Sequence, residues 1–139
     1  MYWKQYVSIT LNLYKDHTVA IINCTPHDIV YRKSDGSEVV FPASGNVVRV
    51  LEKEYPLDAR PYTEEVKTVS YDFCGVVGFP ENTQKGDIYI VSSMARMYIE
   101  RLVVREGMNY PTRNISPDTG KTCIRNDKGH IIAVTQFVQ

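Results

Sequence analysis

Apolar and polar residues alternate with a period of two near the start of the chain. Within 6–14, four aliphatic residues fall on one face, and serine, threonine and asparagine fall on the other. This alternation is typical of a strand with one buried face, and we assign it to an extra N-terminal strand within 1–17. The next apolar segment, 18–24, predicts a strand that is buried on both faces.

Short turn signals divide the following residues into further strands. Asp35-Gly36 lies between two apolar segments, and Asp127, Lys128 and Gly129 lie between two others, so both sites predict hairpins. The segment 52–65 contains two prolines and mixed charges, which indicates a loop or insertion. We also interpret 108–121 as loop.

Only one segment, about 93–106, has a convincing helical pattern. Ser92 or Ser93 can cap its start, and Gly107 lies where a helix would end. The positions that share its predicted apolar face are Met94, Met97, Tyr98, Arg101 and Leu102. The pattern as a whole predicts an α+β fold: a single strand-rich domain over 1–139, with a mostly antiparallel sheet and one principal helix.

Charge and length exclude several classes of protein. The 139 residues contain 16 basic and 16 acidic side chains, so net charge gives no reason to expect a nucleic acid polymer or a membrane surface as partner. No apolar segment approaches the roughly 18 residues of a membrane span. The N-terminus lacks the pattern of a signal peptide, and the three cysteines have no close spacing. We therefore expect free, buried thiols in a reducing cytoplasm.

The Thr-Pro-His triplet at 25–27 lies between two predicted strands. Pro26 cannot donate to a sheet ladder, so the triplet is first a turn. A metal site at His27 would need partners at ligand spacing, and a catalytic pair of His27 with Cys24 would need an accessible thiol. We predict neither a metal site nor catalytic residues, and no cofactor.

Five blocks of the sequence carry a resemblance to a known family. In order, they are INCTPHDIVY, PASGNVVRV, GFPENTQKGDIYIVSSM, SPDTGK and IRNDKGHIIAV. From about residue 20 to residue 137, they resemble the family of phage sponge proteins that includes the first Thoeris anti-defence protein. Residues 1–17, the segment 52–65 and Phe79, where leucine is usual, depart from that pattern.

The resemblance implies a non-enzymatic binder acting in the host cell cytoplasm. Its ligand would be a cyclic nucleotide messenger: a cyclic ADP-ribose isomer or, in some members, a CBASS cyclic oligonucleotide. We also expect a homo-oligomer, a dimer or larger, because one helix on a small sheet leaves apolar surface uncovered. The alternatives are a nucleotide-processing enzyme and a phage structural or interaction domain without a small ligand.

Nucleotide binding requires cations for phosphate and flat side chains for stacking. The residues that we predict to contact the ligand are Arg49, Tyr98, Asn109, Tyr110, Arg113 and Arg125. Each also has a simpler interpretation. The arginines can be surface charges on a strand, a loop and a hairpin, Tyr98 can pack in the core, and 109–113 can be an ordinary solvated loop.

Overall fold

The computed structural model describes residues 4–6, 10–14, 17–56, 69–111 and 113–139. These residues form twelve strands and one helix. The first six strands are β1 Lys4–Tyr6, β2 Thr10–Tyr14, β3 His17–Asn23, β4 Ile29–Arg32, β5 Glu38–Phe41 and β6 Arg49–Pro56. The remaining elements are β7 Val69–Val77, β8 Ile88–Ile90, α1 Ser93–Glu106, β9 Asn114–Pro117, β10 Ile124–Arg125, β11 Ile131–Ala133 and β12 Phe137–Val138.

The strands form one five-stranded sheet and three smaller ones. The large sheet has the order β12-β9-β8-β3-β2, and its central strand β8 runs parallel to both β3 and β9. A three-stranded sheet has the order β1-β5-β4, and β6-β7 and β10-β11 form two ribbons. Five of the eight strand pairs among the described residues are antiparallel, which confirms the predicted α+β class.

Side chains from the large sheet enter two apolar clusters. Successive residues of a strand point to opposite faces, and Tyr89 and Ile90 of β8 follow this rule. Tyr89 packs with the helix residues Ile99 and Leu102, whereas Ile90 packs with Phe41 of β5. The large sheet is therefore covered by α1 on one face and by the β4-β5 hairpin on the other.

Helix α1 has the predicted bounds but buries a different face. Ser92 is the N-cap, its Oγ accepts a hydrogen bond from the Ala95 N–H at 3.2 Å, and Gly107 ends the helix at a φ of 66°. The buried residues are Ala95, Ile99 and Leu102. Met94 and Met97, which we assigned to the apolar face, are 50% and 56% exposed. The two stripes are adjacent and both apolar, so the helical pattern alone did not choose between them.

Two strand assignments also differ from the sequence prediction. Strand β9 lies inside 108–121, which we predicted as loop, and its Asn114 and Ser116 are buried polar residues that hide the strand pattern. Strand β6 continues through 52–56, the first part of the predicted loop 52–65. Positions 57–65 lie outside the described residues.

The described residues of the N-terminal region belong to two strands. They form β1, which pairs in parallel with β5, and β2, which pairs antiparallel with β3 in a different sheet. Positions 7–9, which join them, lie outside the described residues. Of the alternating segment, Thr10–Tyr14 is described and forms a strand, but alternation carries no information on which sheet a strand joins.

The cysteines are free, but only Cys24 is buried. Burial raises the pKa of its thiol to about 11, with a smaller opposing effect from the Ser44 side chain. Cys74 is exposed and Cys123 is intermediate, so the prediction of buried thiols is wrong for Cys74 and holds fully only for Cys24. Among the described residues, α1 is neither long nor apolar enough to cross a membrane.

Candidate functional site

The Thr-Pro-His turn is held together by the buried side chain of Asn23. Its Nδ2 donates hydrogen bonds to the carbonyl oxygens of His27 and Phe41, each at 2.8 Å. Its Oδ1 accepts from the Thr25 backbone N–H at 3.0 Å and from the Thr25 hydroxyl at 2.7 Å. His27 itself is exposed. These contacts are typical of a turn. The donors and the acceptor of the Asn23 side chain are all used, within the turn and at the Phe41 carbonyl.

A pocket of about 350 Å³ lies at the opposite end of the same sheet. It is formed where two parallel neighbours, β8 and β9, begin: the turn 83–87 leads into β8, and the segment 109–113 leads into β9. The described residues that line it are Thr83, Gln84, Lys85, Gly86, Asp87, Tyr89, Asn109, Tyr110, Pro111 and Arg113. It therefore contains three of the six predicted ligand contacts: Asn109, Tyr110 and Arg113.

The turn that forms one wall is fixed by a buried carboxylate. Asp87 is 7% exposed, and its Oδ1 accepts from the Ala20 N–H at 3.3 Å while its Oδ2 accepts from the Gln84 N–H at 3.2 Å. The Asp87 N–H donates in return to the Gln84 carbonyl at 3.1 Å. Both carboxylate oxygens are thus engaged by backbone donors, as a buried charge requires.

Arg113 joins the two walls. Its Nη1 donates to the carbonyl oxygen of Gly86 at 3.0 Å, and its backbone carbonyl accepts from the Tyr89 N–H at 2.9 Å. Gly86 has a φ of 94°, a left-handed conformation that glycine adopts without strain. A guanidinium has five N–H donors, so one bond to Gly86 leaves most of them for a ligand.

Aromatic rings support the pocket from beneath. Phe79 packs edge-on against Tyr89 with ring centroids 5.3 Å apart, and its ring lies 6.4 Å from that of Tyr110 at an angle of 30°. Tyr110 is half-buried and lines the pocket, so one of its faces is supported by the core. A ring held in this way is suited to stacking against a flat ligand.

The charges around the pocket are mixed. Lys85 and Arg113 are exposed and basic, whereas Asp87 is buried and acidic. Tyr89 is 1% exposed, and its hydroxyl is buried without a hydrogen bond to any described residue. Burial, followed by the negative charge of Asp87, raises the pKa of Tyr89 to about 12. The hydroxyl is therefore protonated at neutral pH.

The other three predicted contacts lie elsewhere. Tyr98 donates its hydroxyl proton to the Phe73 carbonyl at 2.8 Å and packs against the Phe73 ring at 5.2 Å, which joins α1 to β7. Arg125 donates to the carbonyls of Gly129 at 2.7 Å and Thr119 at 3.4 Å, which closes its own hairpin. Arg49 is exposed at the start of β6, opposite Val77. None of the three lines this pocket, and their role in binding stays a prediction.

Sequence reasoning missed seven of the ten described lining residues, and three of the seven are charged or aromatic. Lys85 and Asp87 lie in the QKGD turn, and Tyr89 lies in the strand that follows it. The sequence did contain a signal for them. The Lys-Gly-Asp turn lies within one of the five quoted blocks, and its Asp87 directly precedes β8. An acidic residue at the start of a buried strand needs partners, and that need marks a structured turn.

A second cavity, of about 450 Å³, lies at the carboxyl end of the sheet. Thr25, His27, Ser92 and Ser93 form part of its polar rim, and Ile131 and Ile132 contribute exposed apolar surface. None of the six predicted contacts lines it. Carboxyl ends of parallel strands commonly bind ligands, so this cavity is the natural rival site for experiments.

The chain was compared with models of protein families, with curated proteins and with solved structures, and none of them matches it. Within the described ranges, no group of three or more His, Cys, Asp and Glu side chains is placed to hold a metal ion. The case for a function therefore rests on the geometry of the pocket and on the sequence resemblance.

Proposed function

We propose that this protein binds a cyclic nucleotide messenger at the pocket between 83–87 and 109–113, and holds it without chemical conversion. The observation that carries the proposal is the convergence of Asn109, Tyr110 and Arg113 with a further cation, Lys85, around one opening. These side chains come from two separate segments and supply what a nucleotide needs: cations, an amide and a supported ring.

Each lining residue has a role suited to its chemistry. Arg113 and Lys85 bind phosphate oxygens, and the arginine fork adds directional bonds that a point charge lacks. Tyr110 stacks on the base, and the Asn109 amide offers both a donor and an acceptor to the sugar or base. The sequence resemblance suggests the ligand class, a cyclic ADP-ribose isomer or a CBASS cyclic oligonucleotide, sequestered in the host cytoplasm to block antiviral signalling.

Binding without turnover is supported by the state of the acidic groups. A general base needs a free lone pair within reach of the proton that it abstracts. Asp87 is 7% exposed and is held within its turn by a backbone hydrogen bond to each oxygen, and the raised pKa of Tyr89, about 12, keeps its hydroxyl protonated at neutral pH. The exposed charged groups of the pocket, Lys85 and Arg113, are cations suited to binding rather than to proton abstraction.

A second copy of the chain would cover apolar surface that this copy leaves exposed. The pocket is at the lower end of the roughly 300–1,000 Å³ found for drug-sized ligands, and it is open to solvent. Met97 on α1 and Tyr71 on β7, each 56% exposed, offer apolar surface for self-association. We therefore propose a homo-oligomer, whose mass light scattering measures directly.

The test is uptake followed by release. Purified protein is incubated with a panel of cyclic ADP-ribose isomers and cyclic oligonucleotides, separated from free ligand, and heated. Mass spectrometry then identifies what is released. We expect one class to be returned intact. An altered product would show an enzyme, and no uptake of any compound would overturn the proposal.

The matched variants locate the site. Arg113→Ala removes a cation from this pocket, whereas His27→Ala changes the rival cavity at the carboxyl end of the sheet. We expect only Arg113→Ala to reduce uptake. Reduced uptake by His27→Ala alone would move the site to the other cavity.

A further inference from the structure

Tyr89 differs from every other lining residue of the pocket because its polar atom is buried and unbonded. The residue is 1% exposed, and no donor or acceptor among the described residues meets hydrogen-bond geometry with its hydroxyl. The Thr83 hydroxyl is near enough to lower the pKa of Tyr89 slightly by hydrogen bonding, which is the smallest of the four effects on it, but it does not meet the distance and angle of an ordinary hydrogen bond. Leaving a buried hydroxyl without a partner destabilises the folded state, so its presence needs an explanation.

The surroundings of Tyr89 restrict what can approach it. The groups that act on it are the buried carboxylate of Asp87, the thiol of Cys24 and the Thr83 side chain, and Phe79 covers one side of the ring. An anion beside Asp87 would be repelled by that carboxylate with little solvent to screen it. A neutral acceptor meets no such repulsion. The two cations of the pocket, Lys85 and Arg113, are exposed, so the phosphate end has its own place in the outer part.

We propose that the Tyr89 hydroxyl donates a hydrogen bond to a neutral acceptor on the ligand's base, a ring nitrogen or a carbonyl, while Arg113 and Lys85 bind the phosphates. This rests on the proposed function and adds an orientation to it: the base lies inward and the phosphates lie outward. The hydroxyl is buried in the free protein, so the lining side chains must shift when the ligand binds to it. Tyr89 is then a specificity residue, since it distinguishes bases that present an acceptor at that position from those that do not.

Tyr89→Phe separates this role from a structural one. The variant keeps the ring and its contact with Phe79 and removes only an unpaired polar atom. We expect the thermal midpoint of the free protein to stay the same or rise, and the affinity for the released messenger to fall on the order of tenfold, as for one hydrogen bond. Tyr31→Phe is the matched control, because Tyr31 lies in β4 and does not line this pocket.

A truncated ligand tests the orientation. Calorimetry with cyclic ADP-ribose and ligand-observed NMR with adenosine compare a phosphate-bearing probe with one that has only the base and sugar. We expect Tyr89→Phe to weaken both probes and Arg113→Ala to weaken only the phosphate-bearing one. If Tyr89→Phe weakens only the phosphate-bearing probe, the orientation is wrong.

The outcomes also distinguish this inference from the proposed function. If the parent protein binds a messenger and Tyr89→Phe binds it as tightly, the role of Tyr89 is refuted and the proposed function stands. If the parent takes up no compound of the panel, the proposed function fails and the inference fails with it.

Discussion

Two buried polar side chains lie in adjoining strands of the central sheet, on opposite faces, and they differ in their hydrogen bonding. Asn23 ends β3, and Tyr89 lies in the adjoining strand β8, where the register pairs Tyr89 with Ile22 and Asn23 with Ile90. Each is 1% exposed. The Asn23 side chain takes part in four hydrogen bonds, all within one turn and the neighbouring hairpin, whereas the Tyr89 hydroxyl has none among the described residues.

The difference separates a structural turn from a candidate site. A buried amide whose donors and acceptor are all bonded stabilises one backbone conformation and offers nothing to a ligand. A buried hydroxyl without a partner costs stability until something else bonds to it. By this criterion the conspicuous Thr-Pro-His triplet belongs to the scaffold, and the less conspicuous QKGDIY segment belongs to the site.

Replacing Asn23 should have the largest effect of all. Asn23→Ala removes four hydrogen bonds, including the donor from Nδ2 to the Phe41 carbonyl, so we expect a loss of about 3–4 kcal/mol in the free energy of unfolding. Chemical denaturation measures it. Asn82→Ala, at an exposed turn position, is the control and should change stability by less than about 0.5 kcal/mol. A loss below about 1 kcal/mol for Asn23→Ala would contradict its role as the centre of the turn.

The parts of the fold that the sequence predicted are those coded by local pattern. The helix bounds follow from Ser92 and Gly107, and the hairpin between β4 and β5 follows from Asp35-Gly36. Strand β9 escaped prediction because its inward residues, Asn114 and Ser116, are polar and are buried only through tertiary contacts. One of those contacts is the hydrogen bond from Arg96 Nε to Ser116 Oγ at 2.9 Å, which no local pattern encodes.

The candidate site could be predicted from the sequence to about the same extent as the fold. Residue type and loop position pointed to Asn109, Tyr110 and Arg113, and these residues share one pocket. Lys85 and Tyr89 join them only because β8 and β9 begin side by side, a pairing of segments far apart in sequence. The same limit applies to Arg125, whose strand-end position looked suitable for a ligand but whose guanidinium bonds to nearby carbonyls.

The second test compares arginines. It asks which of them bind the ligand and which only stabilise the fold. Arg113→Ala should weaken messenger binding roughly ten- to a hundredfold, as expected for a lost charge-assisted contact, and Lys at this position should restore it only in part. Arg125→Ala removes bonds that close a hairpin, so on the structural interpretation it lowers stability and leaves affinity unchanged.

Arg49→Ala is the third variant of this series. Calorimetry on folded variants decides whether each arginine binds the ligand or only stabilises the fold. The sequence resemblance predicts weaker binding for Arg49→Ala and Arg125→Ala, whereas the pocket predicts it for Arg113→Ala. Weaker binding by all three would mean that the site extends beyond this pocket. Full affinity in Arg113→Ala would remove the phosphate role assigned to it.

The smallest expected effect is a pH dependence that Tyr89 has and Asn23 lacks, because an amide does not titrate. The pKa of Tyr89 is raised from 10.0 to about 12 in the folded protein. A raised pKa means that the native state holds the proton more tightly than the unfolded chain, so this titration leaves the free energy of unfolding unchanged below pH 10 and lowers it as the pH rises towards 12. Cys24 acts in the same direction at lower pH, since its pKa is raised from 9.0 to about 11.

We therefore expect the free energy of unfolding to fall from about pH 9 upwards. Tyr89→Phe should flatten the upper part of that fall, and Cys24→Ala should flatten the lower part. Denaturant titrations at one-unit pH steps measure both. An identical slope above pH 10 in the parent and in Tyr89→Phe would show that the Tyr89 hydroxyl is solvated in the folded protein, and the contrast with Asn23 would then disappear.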